Sequence, residues 1–247
     1  LPAVATISLA VAVPRLAANQ VLVRRLAAVE ALGSADTIVF DKTGTLTENR
    51  MVLRSVLIGD GTEVAVTVTE DGTRLSTQLS AVGSQELTSE QRAQATRVLL
   101  LTALCNDAVV EYDEESRWHA HGDPMEGALA LAAYGLGLRA GELATRYPRT
   151  STEPFSSSAR MMTTRHDTDS ETLIAIKGAL EPVARLAPDA NQRLVERTSE
   201  LGTQGYRVLA VAEQSPGSPA TLAGAVILED PLRADARQAT AAARASG

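Results

Sequence analysis

The seven residues Asp41-Lys42-Thr43-Gly44-Thr45-Leu46-Thr47 directly follow the apolar run Thr37-Ile38-Val39-Phe40, and no other junction constrains this chain as much. A short β-branched and aromatic run bounded by polar residues predicts a buried strand, with Asp41 just past its carboxyl end. In open α/β sheets that edge is where ligands bind and chemistry is done. A carboxylate there can attack a phosphoryl group and form an aspartyl-phosphate. Lys42 adds positive charge and Gly44 permits a tight turn. Thr43, Thr45 and Thr47 bring hydroxyls and amides able to hold phosphate oxygens. A lone Asp-Lys pair reads most simply as a surface turn, but the full seven-residue string is far more specific.

Composition narrows the field. A length of 247 residues allows one large domain or two small ones with a proper core. A net charge of -7 argues against a nucleic-acid partner, and an aromatic content of 3% leaves few stacking platforms for single strands. The single Cys105 excludes an internal disulfide and fits a reducing compartment; its apolar setting predicts a buried packing thiol. The chain begins Leu1-Pro2 rather than with Met and ends shortly after a predicted helix, so it reads as a fragment. Residues 1–13 are uncharged and mostly apolar, yet shorter than the ~20 residues that span a bilayer. A signal-peptide core, a buried helix and a truncated membrane helix compete here. The cluster Arg15, Arg24 and Arg25 behind the run favours the last, emerging on the cytoplasmic side.

Periodicity and turn chemistry then predict a series of elements. Residues 14–35 read as a helical stalk and connection. Residues 51–58 and 63–69 read as a hairpin joined through Gly59-Asp60-Gly61, and 70–86 as a polar connection. A helix from Ser89, capped by Ser89 itself, runs to Leu104. Residues 111–115 read as a solvated acidic turn. His119 and His121 alternate on a predicted strand; a metal pair would need further ligands, and no Cys or third His lies nearby in sequence. His166 reads as a surface residue. Further helices are predicted over 123–134, 191–201 and 234–245, with another after Gly178, and strands over 161–164, 172–176, 207–212 and 222–228. The mixture predicts an α+β insertion within a split α/β domain.

Four segments offer groups that a bound nucleotide needs: an aromatic or apolar face, polar anchors and cations. They are Gly122-Asp123-Pro124-Met125-Glu126, Phe155-Ser156-Ser157-Ser158-Ala159-Arg160-Met161-Met162, Lys177-Gly178-Ala179-Leu180-Glu181 and Gly205-Tyr206-Arg207. Each has a plainer reading, as a helix start for Glu126 or a core phenylalanine for Phe155. Asp230-Pro231-Leu232-Arg233 reads equally as a strand-to-helix turn. Taken in this order, however, they resemble the nucleotide-binding segments of the P-type ATPases, and Asp41 to Thr47 resembles that family's phosphorylation motif. Ala159 and Arg160 depart from the family, which commonly has Arg and Lys at those places.

The resemblance implies a partial, split haloacid dehalogenase-like phosphorylation domain carrying an inserted α+β nucleotide-binding domain built on an antiparallel sheet. Residues 1–35 would end a membrane helix and link it to the site, 36–50 and 227–247 would belong to the phosphorylation domain, and 51–226 to the nucleotide-binding domain. Asp41, Lys42 and Thr43 would be catalytic. Glu126, Phe155, Arg160, Lys177, Gly178, Arg207, Asp230 and Arg233 would bind ATP, and Asp41 and Thr43 would hold Mg2+. The Leu1-Pro2 start resembles the P2 cation pumps. A multi-pass membrane parent with this portion in the cytoplasm follows, its transported cation bound outside the fragment, which is expected to be incomplete for turnover. A haloacid dehalogenase-like phosphatase is the alternative, although Thr43 stands where such enzymes place a second Asp for acid-base chemistry. A nucleotide-binding module without chemistry of its own is the other.

Overall fold

Side chains of the central strands are buried on both faces, and this sets the architecture. The computed structural model describes residues 11–18, 21–25, 27, 31, 34–69, 72–77, 87–112, 118–168 and 171–245. The chain divides into two compact units, Leu1–Thr47 with Leu232–Gly247, and Glu48–Pro231.

The larger unit contains, in chain order, β1 (Val52–Ile58), β2 (Glu63–Thr69), β3 (Gly72–Thr77), α1 (Ser89–Leu104), β4 (Val109–Tyr112), β5 (Trp118–His121), α2 (Pro124–Gly135), α3 (Ala140–Arg146), β6 (Arg149–Glu153), β7 (Met161–Asp167), β8 (Thr172–Gly178), α4 (Leu180–Leu186), α5 (Gln192–Thr203), β9 (Arg207–Gln214) and β10 (Thr221–Glu229). Eight strands form one sheet in the order β3-β2-β1-β10-β9-β8-β7-β6, and β4 pairs with β5 separately. All neighbouring strands in the sheet run antiparallel. Successive residues of a strand face opposite sides. Val56 and Ile58 of β1 therefore join a core with α1 and α2, whereas Leu57 joins a second core with α4 and α5. β10 repeats this, with Val226 and Leu228 on the first face and Ala225 and Ile227 on the second. Strands covered on both faces read as continuous apolar runs, which is why 222–228 lacks alternation. Each buried Val, Leu or Ile among them contributes about 1.5–3 kcal/mol by leaving water. Gly224 sits where α1 crosses the sheet; a Cβ there would collide with the Leu57 carbonyl and Val98, so only glycine fits.

Several expectations are corrected. Residues 37–40 form no strand: Ile38, Val39 and Phe40 are exposed, and among the described residues no neighbouring strand pairs with them. A strand is stable only with a ladder partner, however apolar its sequence. The connection assigned to 70–86 contains β3, held by its ladder with β2; residues 78–86 lie outside the described ones. The cap of α1 is Thr88, whose hydroxyl accepts from the Gln91 N–H at 3.1 Å while the Gln91 side chain takes the Thr88 N–H. Glu111 lies in β4 rather than in a turn, and residues 113–117 lie outside the described ones. The last helix starts at Ala236, two residues later than expected. The polar elements α3 and β6 carried no sequence signal and were missed.

In the smaller unit, residues 11–18 are helical, and residues 1–10 lie outside the described ones. A loop at Lys42–Leu46, a bridge between Thr47 and Leu232, and helix α6 (Ala236–Ala245) complete what is described. No described helix is long and apolar enough to cross a membrane.

His166 is buried rather than at the surface, at 2% exposure. Its Nδ1 lies 3.0 Å from the Tyr147 carbonyl and its Nε2 2.9 Å from the Thr164 hydroxyl. A neutral ring protonated on Nδ1 satisfies both, donating to the carbonyl and accepting from the hydroxyl. Burial lowers its pKa below the ordinary histidine value of about 6.5. Above that value folded and unfolded chains both hold a neutral ring. As pH falls below it, the unfolded chain binds a proton that the folded chain does not, so stability declines until the folded pKa is passed. The expected result is a wild-type melting temperature that falls more between pH 7.5 and 5.5 than that of His166→Gln; parallel curves would show that His166 carries none of the slope.

Candidate functional site

Helix α2 starts at the wall of a cavity, to which it contributes Met125. Asp123 caps it, accepting from the N–H groups of Met125 at 2.9 Å and Glu126 at 3.2 Å, and Pro124 fixes the first turn. Met125 and Glu126 are thereby held at the helix N-terminus. Across from them, the end of β8 brings Lys177, whose Nζ lies 2.7 Å from Glu126 Oε1. The other carboxylate oxygen accepts the backbone N–H of Asp107 at 3.1 Å. The side chains are 6% and 19% exposed, so this is a largely buried ion pair.

A cavity of about 700 Å³ is lined by Met125, Phe155, Arg160, Ala179, Tyr206 and Arg207 among others; Glu126, Lys177 and Gly178 do not line it, although their chain neighbours Met125 and Ala179 do. Small-molecule sites run from about 300 to 1,000 Å³. Phe155 is 62% exposed at this wall, so it is no core phenylalanine. Arg160 has φ of 53°, left-handed backbone that side chains rarely adopt, at the end of a turn in which its N–H bonds the Ser156 carbonyl at 2.7 Å. The Arg160 carbonyl accepts from the Ala179 N–H at 2.9 Å. A Cβ on Gly178 would lie 2.5 Å from that carbonyl, so Gly178 permits the β7 and β8 backbones to meet there. The Arg160 guanidinium pairs with Glu181 at 3.3 Å. Burial pushes the nearby Cys105 thiol above its ordinary range, which fits a packing role.

Asp41, Lys42 and Thr43 belong to the smaller unit and are exposed. Thr43 (φ -76°, ψ 122°) and Gly44 (φ 78°, ψ -10°) have the dihedrals of a type II turn, which explains the glycine. Thr47 is fully buried, and its hydroxyl accepts from the Gly44 N–H at 3.2 Å and donates to the Lys42 carbonyl at 3.2 Å. It thus shapes the loop and is not presented to a phosphate, as the sequence alone had allowed. Arg233 reinforces the loop, donating to the Gly44 carbonyl at 3.1 Å and the Thr47 carbonyl at 3.2 Å. In the larger unit, Asp230 accepts the Arg50 N–H at 3.1 Å.

The structure therefore gathers Phe155, Arg160 and Arg207 around one cavity, with Glu126, Lys177 and Gly178 on adjoining backbone. Asp230 and Arg233 take up contacts with local backbone. Met125 and Tyr206 were missed as lining residues, because both also read as ordinary apolar positions beside the charges of interest. For a magnesium ion, the Asp41 carboxylate and Thr43 carbonyl are hard oxygen donors on an exposed loop. The described residues hold no cluster of three or more His, Cys, Asp or Glu able to bind a metal. Magnesium needs none, since it commonly binds through one or two carboxylates and keeps waters and phosphate oxygens.

The family described as P-type ATPase, cytoplasmic domain N, matches residues 94–235. The chain is 33% identical over its whole length to the probable cation-transporting ATPase F of Mycobacterium tuberculosis, covering 29% of that protein. It is 36% identical over 87% of its length to the cation-transporting ATPase pma1 of Synechocystis, covering 25%. It is 30% identical over its whole length to the mouse calcium-transporting ATPase type 2C member 1, covering 28%. The chain thus spans between a quarter and three tenths of these relatives.

The ion pair makes an asymmetric prediction. Glu126→Gln leaves Lys177 charged and buried, whereas Lys177→Met leaves a carboxylate that is more exposed and still accepts the Asp107 N–H. Breaking a buried pair costs about 3–5 kcal/mol. In urea unfolding Glu126→Gln is expected to lose more stability than Lys177→Met; the reverse order would contradict the assigned burial.

Proposed function

The chain belongs to the P-type ATPase family, and from that premise we propose that it is the ATP-binding and phosphorylated cytoplasmic portion of a P2-like cation-transporting pump. The observation that carries this reading is the cavity walled by exposed Phe155, Arg160 and Arg207, whose wall also takes in Met125 and Ala179 from the segments that carry the Glu126–Lys177 pair. Residues 51–226 are read as the nucleotide-binding domain and 36–50 with 227–247 as parts of the phosphorylation domain. Residues 1–35 are read as the end of a membrane helix and its linker. The division of the chain near Thr47 and Pro231 supports this assignment.

Adenine stacks on Phe155, and its amino group donates to the Glu126 carboxylate, which retains acceptor capacity beyond its two present partners. Arg160 and Arg207 offset phosphate charge, Lys177 holds the Glu126 carboxylate at the base, and Gly178 lets backbone approach the ligand. The Asp41 carboxylate oxygen attacks the γ-phosphorus; the new oxygen–phosphorus bond forms as the bond to ADP breaks, and ADP leaves. Lys42 neutralises charge on the transferred group. Asp41 and the Thr43 carbonyl would hold Mg2+, which when bound neutralises phosphate charge. Catalysis here is mainly positioning and electrostatics, so a loop pre-shaped by Thr47 and Arg233 contributes by holding Asp41 in place. Thr43, at the place where a phosphatase of this chemistry has an Asp, cannot activate water, which favours a phosphoenzyme that lasts long enough to drive a membrane change. The transported cation is bound outside these residues, in a membrane-embedded part of the parent.

Two measurements check the reading. The full-length parent is expected to take γ-32P from ATP into an acid-stable, hydroxylamine-labile bond that Asp41→Asn abolishes; label persisting in that variant refutes the mechanism. Phe155→Ala is expected to weaken ATP binding by about tenfold, the scale of one base–aromatic stack. Unchanged affinity would remove Phe155 from the site.

A further inference from the structure

One guanidinium outside the cavity gathers three acceptors from a single turn. Arg149, the first residue of edge strand β6, donates through Nη2 to the Leu104 carbonyl at 2.7 Å and the Asn106 carbonyl at 2.6 Å. Its Nη1 donates to Asp107 Oδ1 at 2.6 Å. Leu104 ends α1, and its carbonyl is among the last four that a helix leaves without internal partners. A cation at that end also meets the negative pole of the helix dipole. Only the planar fork of arginine can serve three acceptors spread over one turn; a lysine ammonium has one nitrogen to offer.

The same turn grips Glu126 twice. The Asn106 amide donates to the Glu126 carbonyl at 2.9 Å, and the Asp107 N–H donates to Glu126 Oε2 at 3.1 Å. The residues that Arg149 holds are therefore the residues that fix both the backbone and the carboxylate of Glu126. Lys177 fixes the other oxygen. We infer that Arg149 is a positioning residue for base recognition: through the 104–107 turn it fixes the Glu126 carboxylate, the group given above to the adenine amino group. This rests on the nucleotide reading above for its ligand, but the arrangement itself stands on the contacts just given.

The inference makes a selective prediction. Adenine presents an amino donor where guanine presents a carbonyl acceptor. A carboxylate can accept from the first and has nothing to give the second. Loosening Glu126 should thus weaken ATP and leave GTP nearly unchanged, whereas general damage to the domain weakens both.

The test uses the full chain with Arg149→Gln, Arg149→Lys and the milder Asp107→Ala, which removes one anchor and keeps the backbone N–H. Arg165→Gln, whose arginine pairs with Asp167 within the neighbouring strand β7, serves as control. Two readouts are taken: the Glu126 side-chain carboxyl resonance in 13C-labelled protein, and affinities for ATP and GTP. Both Arg149 variants should move the Glu126 resonance and weaken ATP by about tenfold, the scale of a hydrogen bond to a charged group. GTP should change by less than about twofold, Asp107→Ala should act in the same direction, and the control should do neither. A Glu126 resonance unmoved in every folded variant overturns the inference, as does an equal loss of ATP and GTP. If the resonance moves while the wild-type chain binds neither nucleotide, the nucleotide reading fails and the positioning role stands.

Discussion

The pairing of β1 with β10 is the constraint on which the larger unit depends. Val52 lies opposite Glu229 and the ladder continues to Ile58 and Gly224, so the first and last strands of the unit are neighbours at the centre of its sheet. Below the ladder, the Glu48 N–H bonds the Pro231 carbonyl at 2.9 Å and the Arg50 N–H bonds Asp230. The chain therefore enters and leaves this unit through two adjacent segments. A domain whose ends are adjacent can be inserted into another without tearing it, which is the physical meaning of a split host domain. Asp230 serves that junction; its value is in closing the insertion as much as in any ligand contact.

The central strands also explain what was legible in the sequence. β1, β8, β9 and β10 are apolar on both faces, and runs such as Ala225-Val226-Ile227-Leu228 declare themselves without a partner being known. β6 is Arg149-Thr150-Ser151-Thr152-Glu153, exposed throughout, and it is a strand only because β7 offers it a ladder. The reverse error occurred at Thr37-Ile38-Val39-Phe40, which has strand composition but no described partner. Backbone pairing is a tertiary fact, and composition can neither supply nor deny it. His166 failed for a related reason. A lone histidine in a strand says nothing about which face is covered, and the carbonyl and hydroxyl that satisfy it come from Tyr147 and Thr164.

The candidate site was legible to a different degree. Its charged and aromatic members stood out as motifs: Glu126, Phe155, Lys177 and Arg207 lie in four segments that the sheet and α2 bring to one neighbourhood. What could not be read was the layer behind them. Arg149 follows Tyr147-Pro148 with no motif around it, and its importance arises only because the end of α1 passes β6. Thr47 offered a hydroxyl for phosphate and Arg233 a cation for ATP, and the hydrogen bonds they make in the structure go to the loop that carries Asp41. Residue type identifies what a side chain can bond, and the fold decides whether those bonds are left over for a ligand.

The Glu126–Lys177 pair raises a question of the same kind, since two proposed anchors that already bond each other could be thought closed to a ligand. Counting capacity answers it. An ionised carboxylate has about four lone-pair positions and an ammonium has three protons. Glu126 uses one position on each oxygen, for Lys177 and for Asp107, and Lys177 uses one proton on Glu126. In the proposed complex, then, adenine needs to break neither bond. The two partners hold the Glu126 carboxylate in one orientation before a ligand arrives, so in the proposed complex little of the energy of the adenine contact is lost to reorganisation.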